Sequence, residues 1–326
     1  MEMQKGTELC FPDFLNTSCR KPTLHWSKAV LLNIVLSCIS LITSALNLLV
    51  IISVSHFRQL HTPTNILLLS LAVSDFLVGL LLMPLEIFRS TACWVLGDLM
   101  CSVYWCLTGN IICASIGNIV LISIDRYVAI CDPLHYPTRM TVARVRVCVC
   151  LCWFFAIFYS SLYTTDFLID PGRYNSCYGE CVFVISAIAG IFDLVVSFFV
   201  SVTVIIVLYM RVFVVAVSQA RAMRSHVTTV TLQRSLNQTN KSELKAARTL
   251  GILVVVFLLC FCPYYCVSLV RDENSSIAST VISVFFLNSC LNPLIYAMFY
   301  PWFRKAVKLT VTLQILRTGS CEVNIL

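Results

Sequence analysis

The chain has 326 residues, of which 59% are hydrophobic and only 12% are charged, and its formal net charge is +7. A soluble globular domain carries about 25% charged residues, so this composition excludes an ordinary soluble protein. The basic excess does not indicate nucleic-acid binding, because it follows the membrane topology that the loops predict.

Seven apolar stretches are each long enough to cross a bilayer, which takes about 20 consecutive apolar residues in a helix. Backbone groups in lipid must hydrogen-bond internally, so runs of this length predict helices rather than barrel strands. We therefore predict an all-α membrane protein, a seven-transmembrane helix bundle. The predicted spans are residues 29–53, 65–85, 103–124, 145–163, 182–209, 247–269 and 277–299.

The charges of the loops orient the chain in the membrane. If the N-terminus is outside, the inner side carries 16 of the 23 Lys and Arg residues but 4 of the 16 acidic residues, which satisfies the positive-inside rule. The chain then divides into an extracellular tail (1–28), with a glycosylation acceptor at Asn16, a seven-transmembrane domain (29–299), and an amphipathic helix with a cytoplasmic tail (300–326). We predict a multi-pass protein of the plasma membrane whose partners include membrane lipids and no nucleic acid.

Cysteines on the outer side predict disulfide bonds, because that side is oxidising. The first predicted bond joins Cys101, at the outer end of the third span, to Cys181 in the second outer loop. A second bond joins Cys177 to Cys10 or Cys19, and the sequence does not choose between those two.

The second span carries a carboxylate, Asp75, half-way along its length. A charge at the centre of a membrane helix costs about 2.5–3.5 kcal/mol or more, so each one is a functional candidate. Oxygen ligands at the same depth suit a small hard cation, so we predict bound sodium there and no other cofactor. The alternative is a purely structural hydrogen-bond network. The predicted cluster is Asp75, Ser115, Asn288, Ser289 and Asn292, with Asn47 of the first span beside it.

The fifth span carries another carboxylate, Asp193, about eleven residues from its start and in the outer half of the membrane. No basic residue is predicted at that depth, and a buried unpaired carboxylate either stays protonated or binds a cation from outside. Aromatic side chains of the sixth and seventh spans are predicted to surround such a cation, which is the chemistry that holds an ammonium group. The alternative is a structural hydrogen bond to Ser197. The predicted aromatic residues are Phe261, Tyr264 and Tyr265 on the sixth span and Phe285 and Phe286 on the seventh.

Prolines interrupt the sixth and seventh spans at Pro263 and Pro293. Proline frees a backbone carbonyl and kinks the helix, which gives each helix a pivot. A kinked sixth helix beneath a ligand pocket is a two-state element whose inner end can swing.

A short amphipathic segment is predicted after the seventh span, from Pro301 onward. Its apolar side chains, Phe303 among them, are predicted to face lipid. Arg304 and Lys305 then meet the lipid headgroups.

Short motifs in chain order resemble those of the rhodopsin-like receptor family over the whole transmembrane region. Each motif is weak alone, but together and in order they make the resemblance specific. It implies a signalling receptor without catalytic activity that couples to a heterotrimeric G protein. The motifs are Leu-Ala-Val-Ser-Asp at 71–75, Asp125-Arg126-Tyr127 with Val-Ala-Ile-Cys-Asp-Pro-Leu at 128–134, Trp153, and Asn292-Pro293-Leu294-Ile295-Tyr296.

The same resemblance implies roles for residues of the inner half. Arg126 pairs with Glu243 at the foot of the sixth span in the resting state, and rupture of this pair admits a G-protein helix. The alternative is two unlinked surface charges. The residues implied in coupling and activation are Asp125, Arg126, Tyr127, Glu243, Asn292, Pro293 and Tyr296.

A narrower resemblance lies in the seventh span and the second outer loop. The run from Asn288 to Phe303 and the sequence Cys-Tyr-Gly-Glu-Cys at 177–181 are similar to those of trace amine-associated receptors. This resemblance implies an olfactory receptor for volatile amines that signals through a stimulatory G protein to raise cyclic AMP.

One position departs from the pattern of amine receptors. These receptors usually carry an aspartate eighteen residues before the arginine of Asp-Arg-Tyr, and here that position is Thr108. Asp193 matches a fifth-span position where some fish (teleost) members carry an acidic residue, which implies that the amine is held from the opposite wall. Thr108, Ile112 and Ser197 complete the predicted ligand-binding residues.

Other functional classes fit less well. An enzyme needs a nucleophile, base or metal cluster at one depth, and the five histidines show no ligand spacing. A transporter needs a polar path through the bundle, where this chain is apolar. The runner-up is a biogenic-amine neurotransmitter receptor of the serotonin or histamine type, against which Thr108 counts.

Glu86, Asp166 and Asp170 offer carboxylates for a second amine, so the sequence does not decide between a monoamine and a diamine ligand.

Overall fold

The computed structural model describes residues 9–14, 17–20, 26–184, 186–225, 251–267, 275–316, 320–322 and 325. Asn16 and Glu243, the predicted glycosylation acceptor and the predicted partner of Arg126, lie outside these residues. In the described parts the chain is built of helices, and β pairing is limited to two isolated bridges. The predicted all-α class is confirmed.

Apart from the short helices Tyr136–Arg139 and Thr165–Ile169, which lie in loops, the eight helices of the described chain are numbered α1–α8 in chain order. α2 and α5 each contain a π-helical turn, so their bounds are given in three pieces. The helices are α1 Trp26–His56; α2 Pro63–Leu77, Val78–Leu82 and Met83–Thr91; α3 Gly97–Cys131; α4 Val142–Tyr163; α5 Ala187–Asp193, Leu194–Val200 and Ser201–Ser225; α6 Gly251–Val267; α7 Ser275–Phe299; and α8 Pro301–Val311.

The membrane spans correspond to α1–α7. Within the described residues, α1 to α5 and α7 are long and apolar enough to cross a bilayer, and α6 is a shorter apolar helix. Each overlaps one of the predicted spans. The hydrophobic pattern alone therefore locates the helices of the bundle.

A close contact between α1 and α2 fixes the helix that carries Asp75. Ser40 Oγ donates a hydrogen bond to the carbonyl of Gly79 at 2.6 Å. A Cβ atom at Gly79 would lie 2.9 Å from the backbone nitrogen of Ser44, so a larger residue would push the helices apart. Small residues allow this approach in membrane bundles, where close packing replaces the hydrophobic effect.

The predicted start of the fifth span is wrong. α5 begins at Ala187, with the Ser186 hydroxyl accepting a hydrogen bond from the backbone N–H of Ala189 at 3.2 Å. The residues from Val182 onward are apolar but not helical, because the disulfide of Cys181 holds the chain against α3. Asp193 is consequently the last residue of the first seven-residue piece of α5.

Three disulfide bonds lie at one end of the described bundle, which we call the disulfide end: Cys10–Cys93, Cys19–Cys177 and Cys101–Cys181. The choice that the sequence left open for Cys177 falls on Cys19, and the bond of Cys10 to Cys93 was not predicted. Cys10 and Cys19 lie opposite each other in a hairpin of the tail, where Cys10 N donates a hydrogen bond to Cys19 O at 2.8 Å. Each of them bonds a cysteine of a different loop.

The predicted orientation of Phe303 in α8 is wrong. Its side chain is 1% exposed and belongs to the bundle core together with Trp302 and Ala306. The reason is that α8 packs against α1 and α7, so its apolar face meets the bundle. Arg304 and Lys305 are exposed on the other face.

Candidate functional site

A cavity of about 90 Å³ lies among α3, α4, α5, α6 and α7. Its wall is mostly aromatic and apolar, which is the usual lining of a small-molecule site. The lining residues are Trp105, Thr108, Gly109, Ile112, Cys113, Ile116, Tyr159, Ser160, Tyr163, Thr164, Phe183, Asp193, Ser197, Tyr264, Tyr265 and Phe285.

Asp193 is the one carboxylate among these lining residues. Its Oδ1 atom accepts two hydrogen bonds, from Ser197 Oγ at 2.7 Å and from Tyr159 Oη at 3.0 Å. None of the ion pairs found in the described residues involves Asp193. The carboxylate is thus oriented by neutral donors on one oxygen, and a cation from outside can meet the other.

Aromatic rings surround this carboxylate on several helices. Tyr159 stacks on Tyr163 with ring centroids 6.2 Å apart, and Tyr163 packs on Phe183 at 6.0 Å. Across the cavity, Tyr264 contacts Tyr265 at 5.2 Å and Phe285 at 5.1 Å. Ring faces beside a carboxylate form a site that favours a cation with an apolar surface.

The structure brings most of the predicted ligand-binding residues to this cavity. Phe261 and Phe286 are different, because each is buried behind Phe285, at centroid distances of 4.2 and 6.0 Å, and Phe285 lines the cavity. The predicted residues that do line it are Asp193, Thr108, Ser197, Ile112, Tyr264 and Tyr265.

Sequence reasoning missed the contribution of α4 and of the segment before α5. Tyr159 and Tyr163 lie on α4, and Phe183 follows Cys181. The signal available for the tyrosines was their i, i+4 spacing, which places both side chains on one helix face. No sequence pattern indicated that Phe183 enters the bundle.

The other outer carboxylates are not part of the cavity wall. Glu86 is 5% exposed and paired with Arg89, whose Nε and Nη2 atoms both lie 2.7 Å from its oxygens. Asp166 and Asp170 are exposed in the loop after α4. Glu86, one of the residues expected to hold a second amine, is therefore already paired with a cation of the same chain.

Polar contacts of the predicted cluster around Asp75 join α1, α2 and α7. Asp75 is fully buried, and Asn292 Nδ2 donates to its Oδ2 atom at 2.8 Å. Asn47 Nδ2 donates to the carbonyl of Ser289 at 3.0 Å, while Ser115 Oγ donates to its own helix.

Three buried oxygens of this cluster lack a hydrogen-bond partner in the described chain: Asp75 Oδ1, Asn47 Oδ1 and Asn288 Oδ1. Buried polar atoms without partners are costly, so such a set indicates a place for water or a cation. One carboxylate with neutral oxygens around it fits sodium in charge and ligand type.

At the opposite end of the bundle, Arg126 pairs with its neighbour Asp125. Arg126 Nε lies 3.0 Å from Asp125 Oδ2, and Arg126 also donates to Thr64 Oγ1. Asp125 is fully buried and accepts from Tyr136 Oη at 2.9 Å. Burial, followed by the nearby charge of Asp125, raises the pKa of Tyr136, so this phenol stays a donor. In the described chain the guanidinium of Arg126 is thus held by partners on α2 and α3.

Comparison with known proteins places this geometry in context. Residues 46–296 match the family model described as 7 transmembrane receptor (rhodopsin family). The chain is 37% identical to Trace amine-associated receptor 13c of Danio rerio, covering 98% of this chain and 96% of that protein. It is 38% identical to Trace amine-associated receptor 7a of Mus musculus, with 98% and 92% covered. It is 37% identical to Trace amine-associated receptor 6 of Homo sapiens, with 98% and 96% covered.

Proposed function

Because the chain belongs to the rhodopsin family of seven-transmembrane receptors and, within it, to the trace amine-associated receptors, we propose that it is an olfactory receptor for small amines. As a family member it is a multi-pass membrane receptor with a small-molecule ligand and a G-protein partner, and it is not an enzyme. The proposal adds that the disulfide end is extracellular at the plasma membrane. It also adds that a stimulatory G protein raises cyclic AMP.

One observation carries the amine proposal: Asp193 lines the cavity without a cationic partner among the described residues. A carboxylate in such a place favours a ligand that brings the missing positive charge. The rings of Tyr264 and Tyr265 add cation–π attraction of about 0.5–2 kcal/mol each. A small aliphatic amine meets both requirements.

The neutral side chain of Thr108 counts against the neurotransmitter-receptor alternative. Its hydroxyl donates to the carbonyl of Tyr104 at 2.8 Å, so it lines the cavity as a neutral group. An ammonium group near Thr108 would gain no charge pairing there. The ligand is therefore proposed to bind from the α5 side, which separates this receptor from one that grips amines on α3.

The signalling part of the proposal uses the opposite end of the bundle. Arg126 is held by Asp125 and Thr64, a pairing that fits a resting receptor. We propose that ligand binding swings α6 about Pro263, that Arg126 leaves its resting partners, Glu243 among them, and that a G-protein helix then enters. The equilibrium between the two positions of α6 shifts whenever the ligand binds one of them more tightly than the other.

The test of the proposed function is a cyclic AMP assay in cells that express the receptor, with primary, tertiary and di-amines. Each amine is paired with a neutral alcohol or hydrocarbon of the same shape. We expect at least one monoamine to raise cyclic AMP and its neutral analogue to be inactive, because Asp193 selects for charge rather than for shape. Cells without the receptor and cells without the stimulatory α subunit are the controls. Equal responses to an amine and its neutral analogue would contradict the proposal.

A second prediction concerns sodium at Asp75. Thermal unfolding of the purified receptor in detergent is measured in sodium or potassium chloride at equal ionic strength. Sodium bound only to the folded protein raises the unfolding temperature by about 2–4 °C for each kcal/mol of binding free energy. We expect this difference in the wild type and in Asp193→Asn, and its loss in Asp75→Asn. A sodium effect that survives Asp75→Asn would place the ion elsewhere.

A further inference from the structure

Glu86 of α2 is a buried carboxylate that already has a cation beside it. Arg89, one turn further along α2, donates to both of its oxygens at 2.7 Å, and Tyr104 Oη of α3 donates to Oε2 at 2.7 Å. Glu86 is 5% exposed, and the Arg89 side chain is 18% exposed. The carboxylate is thus fully bonded, and its negative charge is neutralised within the same helix.

Arg89 lies directly behind one wall of the ligand cavity. Its guanidinium carbon is 5.4 Å from the ring centroid of Trp105, which lines the cavity and stacks on Phe183 at 5.0 Å. Arg89 Nη1 also points to the carbonyl of Cys181, at 3.4 Å. One aromatic ring therefore separates this guanidinium from the space that the ligand enters.

The same cavity lies between the two carboxylates. Asp193 lines it directly, and Trp105, another lining residue, separates it from Arg89, the partner of Glu86. Asp193 stands on α5 and has no cationic partner in the described chain, whereas Glu86 stands on α2 and has one. The bundle thus presents two anionic positions near the cavity: Asp193, half-buried and without a cation, and Glu86, buried and paired with Arg89.

We propose that Arg89 occupies, as a built-in cation, a second amine-binding position formed by Glu86 and Tyr104, and that it thereby restricts the receptor to monoamines. The inference rests on the proposed function, because it takes Asp193 as the position of the first ammonium. Arg89 is the specificity-determining residue and Glu86 is the group that it masks.

The physical reason is competition between a tethered cation and a free one. The guanidinium fork matches a carboxylate with two parallel hydrogen bonds, and its attachment one helical turn away keeps it at a high effective concentration. A second ligand ammonium would have to displace it. Beside Trp105, the guanidinium also adds a positive charge that disfavours a cation at that end of the cavity.

Replacing Arg89 with alanine removes the tethered cation and leaves a buried carboxylate that needs a new one. The vacated space lies beside Trp105. The amino group of a diamine, with its other end at Asp193, then takes the position of the guanidinium. Arg89→Ala is therefore expected to gain a response to diamines, which a receptor that is only destabilised would not gain.

The experiment compares monoamines with diamines from diaminobutane to diaminooctane, on wild type and on Arg89→Ala. Cyclic AMP in cells and thermal unfolding of the purified receptor in detergent are the two readouts. We expect the potency of at least one diamine, relative to its monoamine of equal length, to rise by about tenfold or more, the low end of what one buried charge pair contributes. An unchanged ratio in a variant that still answers monoamines overturns the proposal.

The matched control is the double variant Glu86→Gln with Arg89→Ala, which removes the arginine and the carboxylate together. It should answer monoamines and lack the diamine gain. A diamine gain that persists in this control overturns the proposal, because the added space alone would then explain it.

Loss of folding in Arg89→Ala is also informative. If that variant fails to reach the cell surface, a diamine present during expression should restore its surface level and the equal-length monoamine should not. Failure of both ligands to restore it, while the double variant reaches the surface, overturns the proposal. Asp193→Asn on the wild-type background tests the proposed function, which an intact monoamine response would contradict. The potency of diamines relative to monoamines in Arg89→Ala tests the role of Glu86.

Discussion

Asp193→Asn is expected to weaken the response to amines strongly while the receptor still reaches the cell surface. The amide oxygen of asparagine can accept the hydrogen bonds from Ser197 and Tyr159, so the local packing is kept. What disappears is the negative charge that faces the ligand. Loss of one partner of a buried charge pair costs about 2–5 kcal/mol, and each 1.4 kcal/mol is about tenfold in affinity. The half-maximal amine concentration should therefore rise at least about 30-fold.

Dose–response curves of cyclic AMP, with surface receptor counted through an epitope, measure this effect. Asp170→Asn is the matched control, because it removes a carboxylate from an exposed loop outside the cavity. A third variant combines Asp193→Asn with Thr108→Asp and moves the carboxylate to the α3 wall, which should restore part of the response. If Asp193→Asn answers amines like the wild type, the ammonium is held elsewhere.

The fold could be predicted from the sequence because membrane helices obey one dominant constraint. An apolar stretch of the right length must satisfy its own backbone, so hydropathy alone locates α1–α7. The start of α5 could not be predicted in this way, since Val182 and Phe183 are as apolar as the helix that follows. Their path is set by the bond of Cys181 to Cys101.

The charged members of the candidate site could be predicted for a similar reason. A carboxylate in a membrane helix is costly, so Asp75 and Asp193 stand out from the sequence. The rings around Asp193 stand out only in part: Tyr264 and Tyr265 could be predicted, but Tyr159 and Tyr163 could not, because aromatic residues are common on every face of these helices. Helix rotation decides that Phe285 lines the cavity and that Phe261 packs behind it.

The disulfide partner of Cys177 could not be predicted from the sequence, for a different reason. Cys10 and Cys19 lie in the same short tail, and either one has the chemistry to bond Cys177. The hairpin that turns them toward different loops depends on main-chain hydrogen bonds to the second outer loop, such as Cys19 N to Tyr178 O at 2.9 Å. Those bonds depend on tertiary structure and leave no pattern in the sequence.

Replacing Cys101 and Cys181 together with serine is expected to abolish amine responses. Cys181 lies two residues before Phe183, whose ring lines the cavity, and its carbonyl accepts from Arg89. Without the bond, both groups lose their anchor. Removal of a native disulfide costs about 2–5 kcal/mol of stability, so lower surface expression is expected too.

The bond between Cys10 and Cys93 is the control that separates these two effects. It spans 83 residues of sequence against 80 for Cys101–Cys181, so the chain-entropy contribution of the two bonds is nearly equal. The Cys10→Ser, Cys93→Ser double variant should therefore lose comparable stability, yet keep its half-maximal amine concentration per surface receptor. The measurement is cyclic AMP normalised to surface receptor for both double variants. Equal loss of potency in the two would mean that the bonds act on stability alone, and that Cys181 does not position Phe183 for the ligand.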